Sequence, residues 1–66
     1  MEKMLGKIKW FKNNKGYGYI NGYDNEKYFF DISNSVEEQE YTENDEVKFI
    51  PMFDSRIPYA KFVEKI

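Results

Sequence analysis

Alternation dominates the first half of the chain. In Lys7-Ile8-Lys9-Trp10-Phe11 charged and apolar positions trade places until two rings close the run, and a period of two predicts a strand. Lys12-Asn13-Asn14-Lys15-Gly16 carries the asparagines and glycine that a hairpin turn favours, and Tyr17 to Ile20 predicts the second strand. Asn21-Gly22 with Asp24-Asn25 marks the next reversal, and Lys27 to Ile32 (KYFFDI) predicts a third strand dense in aromatics. The alternation then stops. From Val36 to Glu46 the apolar residues show no sustained helical period, although Ser35-Val36-Glu37-Glu38 fits a capping box, so a helical turn within a loop is expected. Glu46 to Ile50 predicts a fourth strand, with Pro51, which has no amide proton to give a ladder, at an edge or at the strand's end. Asp54-Ser55-Arg56 makes a turn, and Tyr59 to Ile66 predicts a fifth strand whose inward and outward phases read equally well.

Five short strands with little helix predict an all-β fold, a five-stranded antiparallel barrel, because a closed sheet fills its own interior and leaves no open edge. Strand parity then sorts the rings. Tyr17 and Tyr19 share one face of the second strand, with Gly16, Gly18 and Ile20 on the other; Phe29 and Asp31 share one face of the third, opposite Tyr28, Phe30 and Ile32. One small interior cannot hold both ring sets. With Ile8, Ile20, Phe30, Val47, Phe49 and Val63 as the core, Trp10, Tyr17, Tyr19 and Phe29 are left as an exposed platform.

Composition narrows the chemistry. The chain has 66 residues, 20% of them aromatic and 33% charged, and neither cysteine nor histidine. That length predicts one domain, residues 1–66, with a single marginal core held by packing alone. Without Cys or His, disulfides, zinc-finger spacing and the commonest general base are all missing, so neither an enzyme nor a metal or other cofactor is expected. The acidic run Glu37 to Glu46 lacks the spacing and glycine of a calcium loop and reads as solvated surface. No apolar run reaches the length of a membrane span, and residues 1–6 lack the core of a signal peptide; cytoplasmic residence is the default expectation.

Net charge is −2, which alone argues against a nucleic-acid partner, but the charges are segregated. Residues 1–30 carry +3 with eight of the thirteen rings, residues 31–46 carry −7, and the remainder carries +2. Lysines and rings are therefore interleaved in one segment. Unpaired bases present flat π faces that stack on such rings at about 1 to 3 kcal/mol each, while bordering lysines meet phosphates. The pattern predicts a site for single-stranded RNA or DNA, with no membrane and no small-molecule substrate. A monomer is expected, with a domain-swapped dimer as the alternative.

Two motifs add a resemblance. Gly6-Lys7-Ile8-Lys9-Trp10-Phe11 followed by Lys15-Gly16-Tyr17-Gly18-Tyr19-Ile20 resembles the GKVKWF and KGFGFI of the bacterial cold-shock proteins, or cold-shock domains, and Lys27-Tyr28-Phe29-Phe30-Asp31-Ile32-Ser33 sits where their DVFVHFS lies. The resemblance implies an OB-fold barrel that binds single-stranded nucleic acid, often as an RNA chaperone, without catalysis. Carried over position by position, it assigns contacts to Lys7, Lys9, Trp10, Lys15, Tyr17, Tyr19, Phe29 and Arg56, with Phe11 and Lys12 as further inclusions. The chain also departs from the family. Asp31 replaces a histidine and Ile32 an aromatic, the following loop is shorter, acidic and without the family's phenylalanine, and Asn44 stands at a left-handed position where glycine is common. Tyr28 and Phe30 replace small branched residues, and the Tyr28 hydroxyl needs a partner.

Two readings of Asp31 stand side by side, an exposed sheet carboxylate or a base contact. As a contact it accepts from the amino groups of cytosine, adenine or guanine and repels the carbonyl edges of thymine or uracil, which predicts a weakened preference for thymine or uracil runs. A different class of function also fits the composition: a barrel that kept its fold while its acidic loop turned it toward a basic protein partner.

Overall fold

The computed structural model describes residues 2–66 and contains five strands, β1 (Met4–Lys12), β2 (Tyr17–Gly22), β3 (Lys27–Asp31), β4 (Glu46–Met52) and β5 (Tyr59–Lys65), with one 3-10 turn at Ile32–Asn34. They close into a barrel in the order β1-β2-β3-β5-β4. Four of the five seams are antiparallel, whereas β3 and β5 run parallel through the pair Phe29↔Tyr59. Parity requires this: directions cannot alternate around a closed ring of odd strand number, so the expected five-stranded antiparallel barrel contains one parallel seam.

All six of the anticipated core residues, Ile8, Ile20, Phe30, Val47, Phe49 and Val63, are buried, and Tyr28, Tyr41 and Ala60 join them. The Tyr28 hydroxyl, directed out of the interior, donates to Asp24 Oδ2 at 2.5 Å. Burial and that hydrogen bond push the phenol up to about 12, while the bond from Tyr28 holds the Asp24 carboxyl below its ordinary value. Gly18 lets β1 and β2 approach: a Cβ there would lie 2.2 Å from the Trp10 carbonyl oxygen and 2.7 Å from Phe11 Cα.

The acidic loop differs from expectation in two ways. The helical turn lies ahead of it, at Ile32–Asn34, capped by Asp31, whereas the Ser35-to-Glu38 capping box forms no helix and Ser35 instead closes the preceding turn. Its aromatic residue, Tyr41, is drawn into the core. Asn13 in the first hairpin clasps the Tyr41 backbone from both sides, accepting from its N–H and donating to its carbonyl oxygen, each at 2.9 Å. The Tyr41 hydroxyl lies 2.6 Å from Ser35 Oγ, so a buried polar atom is satisfied.

Pro51 lies inside β4, opposite Ala60. Pairing of β4 with β1 ends at Phe49, so Pro51 sits where its missing N–H has no strand to serve. Asn44 does adopt the left-handed conformation, with φ 73°. Phe62 does so as well, at φ 52°, in the bulge where β5 slips against β4. That extra residue puts buried Ala60 and Val63 three apart rather than two, which is why the last strand could be read in either phase. Among the described residues no helix is long and apolar enough to cross a membrane.

Candidate nucleic-acid interface

The barrel displays four rings on its outer surface. A register shift in β1 between Ile8 and Trp10 sends Ile8 inward and Trp10 outward, opposite Tyr19. Across the next seam Tyr19 faces Phe29 and Tyr17 faces Asp31. Paired residues of adjacent strands project from the same face of a sheet, so Trp10, Tyr19 and Phe29 form one row across three strands, with Tyr17 beside it.

Ring geometry closes these residues into a quartet. Centroids lie 5.5 Å apart for Trp10 and Tyr19, 5.7 Å for Tyr19 and Phe29, 6.2 Å for Phe29 and Tyr17, and 6.1 Å for Tyr17 and Trp10. Tyr17 and Phe29 are nearly parallel at 28°, whereas the other three contacts are steeply inclined. Edge-to-face contact fixes each ring against its neighbours and leaves faces open to solvent, and all four side chains are half-buried. Such a surface has little conformational entropy left to lose when a flat ligand settles on it.

Lysines border the quartet. Lys7, Lys12 and Lys15 are exposed and Lys9 is half-buried; Lys12 Nζ stands 5.8 Å from the centre of the Trp10 ring. Among the described residues the ion pairs are Lys3–Glu64, Lys48–Glu64 and Lys65–Asp45, so none of these four lysines, nor Arg56, is engaged by a carboxylate. Lys27 lowers the ammonium pKa of Lys9, through a side-chain contact first and charge repulsion second.

Asp31 ends β3 beside Tyr17. Its Oδ2 accepts from the Ser33 amide at 2.9 Å and from Ser33 Oγ at 2.6 Å, which caps the short turn and holds the carboxyl below its ordinary value. The side chain is thus fixed and charged at the edge of the rings.

The structure also separates residues that the sequence grouped together. Phe11 faces the other side of β1, over Gly18, and its ring meets Phe30 at 5.1 Å and Tyr41 at 5.5 Å at the mouth of the core. Arg56 is exposed in the β4–β5 loop and lines a groove of about 420 Å³ with Tyr19, Phe29 and Tyr59. Tyr59 was not singled out by sequence reasoning; its alignment with Phe29 depends on the parallel seam, and the only local signal was an aromatic at the start of a strand of uncertain phase.

The 'Cold-shock' DNA-binding domain model matches residues 4–66, from the first residue of β1 to the end of the chain. The chain belongs to the cold-shock domain family. It is 38% identical over 50 residues to the Cold shock-like protein CspI of Escherichia coli K12, covering 71% of each chain, and equally so to the same-named protein of a second Escherichia coli strain. Family membership accounts for the nucleic-acid-binding type of the fold.

Proposed function

We propose that this cold-shock domain binds single-stranded RNA or DNA with little sequence preference by stacking bases on Trp10, Tyr17, Tyr19 and Phe29, and that it acts as an RNA chaperone of the cold-shock type. The observation that supports this reading is the outward-facing quartet bordered by cations that no carboxylate neutralises. About three of Lys7, Lys9, Lys12, Lys15 and Arg56 meet phosphates at a time. Stacked bases melt competing hairpins by mass action, because the protein binds only the unpaired form of the strand. No bond is made or broken, so nothing in the proposal asks for a catalytic group.

Stacking outweighs charge in this arrangement. Three stacked bases supply about 3 to 9 kcal/mol before the costs of association. Three phosphate contacts give a logarithmic salt slope of about −2, or about a sixteenfold loss of affinity between 50 and 200 mM salt. A net charge of −2 is compatible with binding for that reason.

Titration of Trp10 fluorescence with DNA and RNA heptamers across salt tests the proposal. Stacking quenches Trp10 at every salt concentration, with the shallow slope just given. A signal that stays flat at low salt rejects nucleic-acid binding and favours the protein-partner reading.

A further inference from the structure

The row of outward rings does not stop at Phe29. Register carries it across the parallel seam, where Phe29 pairs with Tyr59 and the Phe29 amide donates to the Pro58 carbonyl oxygen at 3.0 Å. That pair is the whole of the β3–β5 register, so the two strands part on either side of it. Trp10, Tyr19, Phe29 and Tyr59 therefore sit at matched positions of four successive strands, β1, β2, β3 and β5. Strands lie about 4.8 Å apart, which spreads the row over roughly 14 Å.

Between Phe29 and Tyr59 the rings stand apart and leave the groove of about 420 Å³, with Tyr19 as a further wall and Arg56 and Ile57 at its border. That volume is within the range of small-ligand pockets. The chemistry of the lining is selective: aromatic faces and an isoleucine for a flat heterocycle, and one exposed guanidinium that no acid engages for a phosphate. An acidic or purely apolar occupant would leave one of these two features unused.

We infer that Tyr59 and Arg56 form an additional station of the binding surface, a slot across the parallel seam that takes one further unpaired base against Tyr59 and the adjoining phosphate on Arg56. This rests on the binding proposed above and extends it by one nucleotide. A tyrosine phenol is uncharged near neutral pH and so does not repel the phosphate, and the nearby Asp54 raises the Tyr59 phenol further above its ordinary value.

The test combines a variant series with a measurement on the unaltered chain. Tyr59→Ala should lower heptamer affinity about 5- to 150-fold, the worth of one stacked base, while the saturating quench of Trp10 stays that of the parent chain. Tyr59→Phe, which keeps the ring and loses the hydroxyl, should bind as the parent does. In the unaltered chain, heptamers carrying 5-iodouracil at successive positions should photocrosslink to Tyr59 from a position near one end. Equal heptamer affinity for Tyr59→Ala and the parent overturns the inference. So does crosslinking that reaches Trp10 or Phe29 from some positions and Tyr59 from none, and that second result decides the matter even if Tyr59→Ala fails to fold. Absence of any Trp10 quench in the parent chain would instead reject the underlying binding and the slot with it.

Discussion

Two ring clusters stand back to back in the same strands, and neighbouring residues are assigned to opposite ones. Phe29 is outside with Trp10, Tyr17 and Tyr19, whereas Tyr28 and Phe30 on either side of it are inside with Phe49 and Tyr41. Contact geometry scarcely distinguishes the two: inside, Phe30 meets Tyr41 at 4.9 Å and 88°, and outside, Tyr19 meets Phe29 at 5.7 Å and 76°. What differs is the other half of each ring's surroundings. Inner rings are covered on all sides by protein, so their burial stabilises the fold; outer rings are half-buried, and under the proposed function the rest of their burial comes from a base. A single step of strand parity separates a ring sealed in the core from one that the proposed function gives to a base.

Matched truncations test that division, and they carry the largest expected effects. Phe30→Ala removes a fully buried ring and should cost about 3 to 5 kcal/mol. A domain of this length has about 3 to 10 kcal/mol in total, so the variant should lose at least about a third of its stability, seen as a large fall in the urea or thermal midpoint. Phe29→Ala, one residue away, should leave the chain folded and lower oligonucleotide affinity about 5- to 150-fold. Should Phe29→Ala unfold the protein as badly as Phe30→Ala, the outer quartet is structural and the division fails.

How much of this could be read in the sequence follows from the same parity. Alternation alone separated Tyr17, Tyr19 and Phe29 from Ile20 and Phe30, because β2 and β3 are regular and each step of one residue changes the face. Where the backbone breaks that rule the reading stalled. The bulge at Phe62 hid the phase of β5, and with it the place of Tyr59 beside Phe29. Tyr41 lay in a segment with no period at all, and its burial depends on Asn13, a residue 28 positions away that local pattern treats as a turn-former. Phe11, included among the contacts by resemblance to the family, lies on the opposite face of β1 from Trp10, because adjacent residues of a strand face opposite ways.

A smaller effect isolates one polar atom of the inner cluster. The Tyr28 phenol is pushed up to about 12 in the folded chain, against an ordinary 10.0. A raised folded-state value means that the folded chain holds this proton more tightly than the unfolded chain does. The associated stabilisation is therefore fully present below about pH 10 and is lost as pH rises through about 12. Tyr28→Phe should cost about 1 kcal/mol at neutral pH through the lost bond to Asp24 and should flatten this alkaline decline in urea titrations. Its Trp10 quenching by oligonucleotides should match that of the parent chain, since nothing on the outer face has changed. An alkaline decline identical in both chains would show that the proton on Tyr28 contributes nothing to the fold.

The smallest effect lies at the boundary between the clusters, at Asp31. Here the outer face ends in a fixed carboxylate beside Tyr17, one oxygen of which is committed to Ser33. A committed oxygen orients the group without neutralising it, and the depressed pKa keeps it charged throughout the neutral range. A charge in that position favours the amino edge of cytosine over the carbonyl edges of thymine, so the parent chain should bind cytosine heptamers better, relative to thymine heptamers, than Asp31→His does. Because the group is partly in water, the change in that ratio should be about two- to fivefold rather than the hundredfold of a buried contact. Asp31→Asn separates charge from shape: its amide oxygen still accepts from the Ser33 N–H, so the turn is kept while the repulsion is lifted. If both variants leave the cytosine-to-thymine ratio where it was, Asp31 caps its turn and reads no base, and selectivity on the outer face rests on stacking alone.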